Sequence, residues 1–460
     1  MRAHEAGALH GDIGSRPPWL RPPGDVNALV PQLWPRHVTR AADGALTVAG
    51  LDVRQLATEY GTPVYVLDED DLRSRCREFR AAFPDADVYY AGKAFLCRAV
   101  VRMIAEEGMF LDVCTGGELA TALAADMPAE RIGFHGNNKS VAELARALDA
   151  GVGRIILDSF TEIDRLTALA RERGVRPRVL IRVTVGVEAH THEFIATAHE
   201  DQKFGFSLAG GAAAEAAFRI LDEGVLELRG LHSHIGSQIF DASGFEVSAR
   251  RVLGLQAQIR DARGVELPEL DLGGGFGIAY TTQDDPATPQ ELAKRLHKIV
   301  DAECAAEQLA VPHLSIEPGR AVVGPAVFTL YEVGTVKDVD GIRTYVSVDG
   351  GMSDNIRTAL YDASYSATVA NRASTAPPLL ARVVGKHCES GDIVVKDEFL
   401  PADVQPGDLV AVPGTGAYCR SMASNYNHVP RPPVVAVRDG RARLIVRRET
   451  EEDLLALDVG

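Results

Sequence analysis

Short runs of β-branched and aromatic residues alternate with amphipathic, alanine- and leucine-rich runs through the middle of this chain. Eight apolar runs read as strands: residues 88–91, 110–113, 132–135, 154–157, 178–185, 228–234, 269–272 and 313–317. The stretches between them carry apolar residues at helical spacing, as in residues 98–107, 117–124 and 140–148. The last of these opens on Ser140 with Glu143 three positions on, a capping box. Strict alternation of strand and helix predicts a parallel sheet, and eight units predict a closed (β/α)8 barrel. An open, doubly wound sheet is the competing arrangement.

The polar residues choose between the two. Lys93, Asp112, His135, Asp158, His234, the glycine-rich run 273–277, Glu317 and Arg320 all fall at or just after strand ends. A barrel gathers all eight ends around one mouth, whereas an open sheet spreads them along an edge. After about residue 326 the texture changes to short β-like runs separated by turn signals such as Asp340-Gly341 and Asp349-Gly350. Residues 434–446 read as a hairpin about Asp439-Gly440. The expected organisation is a disordered or loosely packed extension over 1–24, a segment 25–62 joining the β domain, a barrel over 63–325, and an all-β domain over 326–460.

A length of 460 residues with 46% hydrophobic and 24% charged positions suits two globular domains. The net charge of −16 argues against nucleic acid or an anionic membrane as a partner. The six cysteines form no CxxC pair, so a reducing cytoplasm is the simplest setting. No apolar stretch is long enough to span a membrane, and the first residues, rich in Pro, Gly and His, lack the apolar core of a secretion signal.

Lys93 follows the strand-like run that ends at Ala91. A lysine buried there is expected to give up its proton readily, because desolvation disfavours the ammonium. The neutral amine is the nucleophile that forms a Schiff base with a carbonyl cofactor such as pyridoxal phosphate. The run Gly273-Gly274-Gly275-Phe276-Gly277 can bring backbone N–H groups onto a phosphate, though a tight turn is the plainer reading. It is not GxGxxG opening a helix, so a dinucleotide fold is not supported.

His232 and His234 share one face of a strand by period two. They could be metal ligands, but no carboxylate or cysteine stands at ligand spacing in the sequence, and no metal is expected. A histidine stacked on a flat cofactor ring suits His234 at least as well, Ser237 could donate to phosphate, and His232 reads as a core histidine. His190, His192 and His199 lie in a segment longer than a usual βα loop, which reads as a mobile active-site loop rather than a metal site. Glu317 could pair with a protonated pyridine nitrogen and Arg320 with a phosphate or carboxylate, a structural ion pair being the alternative. Farther on, Arg357 and Tyr361 stand four residues apart, Cys388 adjoins Glu389, and residues 414–419 offer backbone donors and the Tyr418 phenol.

Taken in order, these runs closely resemble the diaminopimelate decarboxylases, pyridoxal-phosphate enzymes of the alanine-racemase-like fold, from Tyr60-Gly61-Thr62-Pro63 to Tyr418. The resemblance implies a barrel plus a β domain, working as a homodimer with shared active sites. It implies decarboxylation of meso-2,6-diaminopimelate to L-lysine and CO2, the last step of lysine biosynthesis. By the same resemblance Lys93 holds pyridoxal phosphate, His234 stacks on its ring and Glu317 meets its nitrogen. Ser237, Gly274, Gly275, Phe276, Gly277 and Tyr418 hold the phosphate, and Asp112 is the strand-end acid near the cofactor. Cys388 and Glu389 enter the site of the opposite subunit. Arg320, Arg357 and Tyr361 meet the distal carboxylate, Glu389 also meets the distal ammonium, and Tyr418 is a substrate-binding residue as well. Cys388 is the candidate proton donor to the α-carbon, with Lys93 as the competitor.

Decarboxylases of ornithine, arginine or lysine are the close rivals, but their substrates lack the second carboxylate that an arginine-lined pocket needs. An alanine racemase needs two bases on opposite faces of the ring. A non-catalytic pyridoxal-phosphate carrier would have no use for a half-site supplied by a partner.

Overall fold

Eight parallel strands close on themselves in the computed structural model of the chain, which describes residues 16–186, 202–339 and 342–460. They are β1 (Asp87–Ala91), β2 (Phe110–Val113), β3 (Ile132–Phe134), β4 (Arg154–Leu157), β5 (Arg178–Thr184), β6 (Glu227–His232), β7 (Glu269–Asp271) and β8 (His313–Ile316). Each pairs with the next, and β8 returns to β1 with Ser315 opposite Asp87 and Ile316 opposite Val88. This is the closed barrel expected from the alternation, with strand ends one or two residues from their predicted places. The strands are apolar on both faces because each packs inward on the barrel core and outward on helices.

Helix starts are set locally. Ser140 accepts from the N–H of Glu143, whose carboxylate returns to the N–H of Ser140, and the helix Val141–Ala150 ends on a left-handed Gly151. Thr288 and Glu291 make a second capping box with Pro289 in the first turn of Pro289–Glu307. The barrel unit comprises Arg73–Gly277 and Pro286–Val322. It begins at Arg73 rather than at residue 63, because Val64–Asp68 is a strand of the other unit's sheet.

Among the described residues, that second unit contains residues 16–72, Ile278–Asp285 and Val323–Gly460. Its main sheet runs in the order Ile393–Pro401, Pro378–Val384, Arg343–Val348, Val327–Val339, Val64–Asp68, Val434–Arg438 and Arg441–Val446. The last two strands form the expected antiparallel hairpin, turned by Asp439 and Gly440 at φ 50° and 67°. Positive φ at both central residues matches the right-handed twist of the strands they join. The core of this unit draws Trp34, Leu46 and Leu56 from the N-terminal segment against Phe328, Leu330 and Val435. Among the described residues no helix is long and apolar enough to cross a membrane. The histidine-bearing loop with His190, His192 and His199, the turn at Asp340-Gly341 and residues 1–15 of the extension lie outside the described residues.

Candidate active site

Lys93 sits on the single turn Gly92–Ala94 that follows β1. It is exposed rather than buried, standing in a cavity of about 630 Å3, part of it open to solvent. Asp112, His135, Arg182, His234 and Glu317 line the same cavity. Asp112 belongs to β2, His135 follows β3, Arg182 belongs to β5, His234 follows β6 and Glu317 follows β8. One mouth thus collects side chains that are far apart in sequence, as barrel closure requires.

Glu317 is the electrostatic centre. Its Oε1 lies 3.0 Å from His135 Nε2 and 3.2 Å from His232 Nε2, and His135 Nε2 lies 3.3 Å from Asp112 Oδ1. Burial pushes the Glu317 carboxyl up, but the two histidines outweigh it and hold the group well below the usual carboxylate range. Burial, helped by His135 and Arg182, outweighs Glu317 at His232, which is pushed down to about 4. At His135 burial opposes the charge, yet Glu317 and Asp112 overcome it and raise the imidazole well above its ordinary value. Asp112 is raised, by burial first and by Glu317 second. The stable arrangement is therefore an anionic Glu317 between a cationic His135 and a neutral His232. Burial, with Lys93 and Arg182 adding to it, also holds His234 neutral.

A second group of residues forms a cup. Gly274 N–H donates to His234 Nδ1 at 3.2 Å, and Ile239 and Gly277 exchange backbone bonds with the turn and with the loop after β6. A Cβ on Gly274 would fall 2.1 Å from the Glu317 carbonyl oxygen, and one on Gly275, at φ +100°, 2.3 Å from that of Gly236. Only glycine fits two backbones this close. Arg320 Nη2 donates to Ser237 Oγ at 2.7 Å, which places a guanidinium beside this cup. Phe276 is turned away from it, buried against Phe79 and Phe245.

The barrel unit thus contains Lys93, Asp112, His234, Ser237, Gly274–Gly277, Glu317 and Arg320, whereas Arg357, Tyr361, Cys388, Glu389 and Tyr418 belong to the second unit. There Arg357 is buried, with its Cζ 4.7 Å over the Tyr280 ring and 5.5 Å over that of Tyr365, whose hydroxyl accepts from Nη1. Tyr361 closes the short helix Arg357–Tyr361 and is half-buried. Cys388 is exposed with its N–H on Asn427, and Glu389 accepts from Ser390 and Gly391. Tyr418 takes a left-handed φ of 63°.

Three residues of the site had no role in the sequence reading. His135 was visible only as one more polar strand end. His232 read as a core histidine, and it is wholly buried, but it faces Glu317; the carboxylate its pairing lacked in sequence comes from β8. Among the described residues, His135, His232 and Glu317 bring ligand-type atoms within 4.8 Å of one another, at separations that the ion pair itself accounts for. Arg182 lies 4.3 Å from the Phe204 ring, and nothing in its apolar strand singled it out.

Residues 69–324 match the family described as "Pyridoxal-dependent decarboxylase, pyridoxal binding domain". The chain is 60% identical over 443 residues to the diaminopimelate decarboxylase of Mycobacterium tuberculosis, covering 94% of this chain and 98% of that one. It is 57% identical to the diaminopimelate decarboxylase of Mycobacterium leprae, covering 100% of both chains. Among solved structures, the diaminopimelate decarboxylase of M. jannaschii in co-complex with L-lysine aligns at a TM-score of 0.86 and 31% identity, covering 92% of this chain and 98% of that one.

Proposed function

This chain belongs to the diaminopimelate decarboxylases, a family of pyridoxal-dependent decarboxylases, and on that premise we propose how its residues divide the work of converting meso-2,6-diaminopimelate to L-lysine and CO2. The residues at the barrel mouth fit pyridoxal phosphate. They comprise a solvent-reached lysine for the aldehyde, a neutral imidazole for the ring face, an anionic carboxylate for the ring nitrogen, and a turn that admits no Cβ for the phosphate. When bound, this cofactor supplies an electrophilic carbonyl for the substrate amine and, with its ring nitrogen protonated, a sink for the electron pair left by CO2.

Lys93 Nζ is the covalent anchor. His234 presents an uncharged ring face, and its bond from Gly274 N–H fixes that ring's orientation. Glu317, held anionic, favours a proton on the nitrogen it meets. Asp112 is the acid of the neighbouring strand end. Ser237, Gly274, Gly275, Phe276, Gly277 and Tyr418 seat the phosphate, Phe276 through its backbone.

Arg320, Arg357 and Tyr361 meet the distal carboxylate, where a planar guanidinium gives paired bonds. The aromatic faces of Tyr280 and Tyr365 hold the Arg357 guanidinium in one plane, so less order is lost on binding. Glu389 meets the distal ammonium. Cys388 Sγ delivers the proton to the α-carbon, with Lys93 Nζ as the competing donor. Cys388 and Glu389 serve the site of the opposite subunit in a homodimer, and the six free thiols suit a cytoplasmic setting.

The observation that carries this reading is the convergence of Lys93, His234 and Glu317 on one cavity. Borohydride reduction of the loaded protein, followed by peptide mass mapping, should find the pyridoxyl group on Lys93 alone. A pyridoxyl group elsewhere, or on the Lys93→Ala variant, would overturn it.

A further inference from the structure

Two imidazoles close on a single oxygen of Glu317. His135 Nε2 and His232 Nε2 stand 3.0 and 3.2 Å from Oε1, from the ends of β3 and β6, and the two rings meet edge to face with centroids 5.0 Å apart. All three residues are buried, as is Asp112 beside His135. A buried carboxylate is costly unless paired, and these two imidazoles stand within ion-pair distance of its Oε1. His135 Nε2 also faces Asp112 Oδ1, and a cation there answers two carboxylates at once. His232, at the end of β6, brings a second imidazole to 3.2 Å from the same oxygen.

We propose that His135 and His232 are positioning residues that hold Glu317 as a carboxylate in one orientation, and that the proton on the bound cofactor's pyridine nitrogen depends on them. The inference rests on the reading of Glu317 as the partner of that nitrogen. With both histidines at Oε1, Oε2 is left as the oxygen that would meet the ring. Without His135, burial drives Glu317 to take up a proton of its own. A neutral carboxyl no longer favours a protonated ring, and the ring then withdraws electrons less strongly. The other charged or titratable groups around Glu317 are Lys93, Asp112, Arg182, His234 and Asp271. Of these, Lys93 and Arg182 belong to the cavity wall and Asp271 is tied to Gly273 N–H, so none takes the place of the two imidazoles at Oε1.

The test uses pyridoxal phosphate labelled with 15N in its ring, loaded onto the full-length wild type, Glu317→Gln, His135→Gln and the double variant. The readouts are the ring-nitrogen chemical shift and the cofactor Kd. The wild type should show a pyridinium shift and Glu317→Gln a neutral pyridine shift. His135→Gln should move most of the way to neutral, and adding it to Glu317→Gln should change nothing further. An unchanged shift in His135→Gln would overturn this inference while leaving Glu317 as the ring partner. An unchanged shift in Glu317→Gln would overturn the Glu317 reading itself. Should His135→Gln fail to load, 15N-histidine spectra of the wild-type holoenzyme at neutral pH decide. A cationic His135 beside a neutral His232 supports the inference, and a neutral His135 overturns it.

Discussion

Gly274 and Glu317 approach so closely that a Cβ on the glycine would fall 2.1 Å from the Glu317 carbonyl oxygen. The same glycine donates its N–H to His234 Nδ1. One residue without a side chain therefore locks the turn, His234 and the strand end that carries Glu317 together. Gly274→Ala forces these backbones apart at a cost of about 1–3 kcal/mol, which is about 5- to 150-fold in affinity if it falls on the cofactor. Equilibrium titration with pyridoxal phosphate should show that loss with the far-ultraviolet circular dichroism unchanged. Wild-type affinity would show that the turn is not the phosphate seat.

Arg357 should govern substrate affinity and not cofactor affinity. A lysine cannot reproduce a planar guanidinium lying over Tyr280 and bonded to Tyr365. Arg357→Lys is expected to raise KM for meso-diaminopimelate by on the order of 100-fold, with the pyridoxal phosphate Kd unchanged. Equal losses in the two measurements would make Arg357 a structural residue.

The shared site can be tested by complementation. Lys93→Ala and Cys388→Ala are each expected to be inactive, one lacking the anchor and the other the proton donor. If Cys388 serves the opposite subunit of a two-fold dimer, mixed and re-equilibrated subunits recover about a quarter of wild-type activity, because half the dimers carry one intact site. No recovery from a mixture shown by mass to exchange subunits would place Cys388 outside the partner's site.

The barrel's far end offers a stability test. Glu269, at the start of β7, accepts from Arg154 Nε and Nη2 at 2.7 and 2.6 Å and from Arg229 Nε at 3.0 Å. Burial pushes this carboxyl up, but Arg154 and then Arg229 prevail and leave it below its ordinary value. Its contribution is therefore complete above the unfolded pKa of about 4.3 and drains away as pH falls through the folded value. Glu269→Ala should cost about 2–3 kcal/mol at pH 7, discounted for the partly exposed Arg229. In urea unfolding the gap from wild type should narrow below pH 4.3. A gap that stays constant with pH would mean that lost packing, not charge, explains the cost.

Barrel closure was legible because its signal is periodic: apolar strands, helical runs between them and polar residues at the strand ends. The set of residues that line the barrel-mouth cavity was legible for the same reason, since Lys93, His234 and Glu317 each sit where a strand stops. The pairing of His135 and His232 on Glu317 was not, because β3, β6 and β8 meet only when the barrel closes and no local spacing encodes it. Lys93 misled differently, since an apolar strand suggested burial while the turn after it opens to solvent. Val64–Asp68 misled through its place in the chain: it precedes the barrel in sequence, yet pairs with Val327–Val339 and Val434–Arg438. The Tyr280 and Tyr365 faces that frame Arg357 come from segments whose sequence carries no motif.

The most direct test of the central claim is lysine and CO2 release by the loaded protein, with meso-diaminopimelate, ornithine, arginine and lysine offered separately. Equal amounts of lysine and CO2 from diaminopimelate, and no CO2 from the other three, is the predicted result. CO2 from ornithine, arginine or lysine, with none from diaminopimelate, would contradict it.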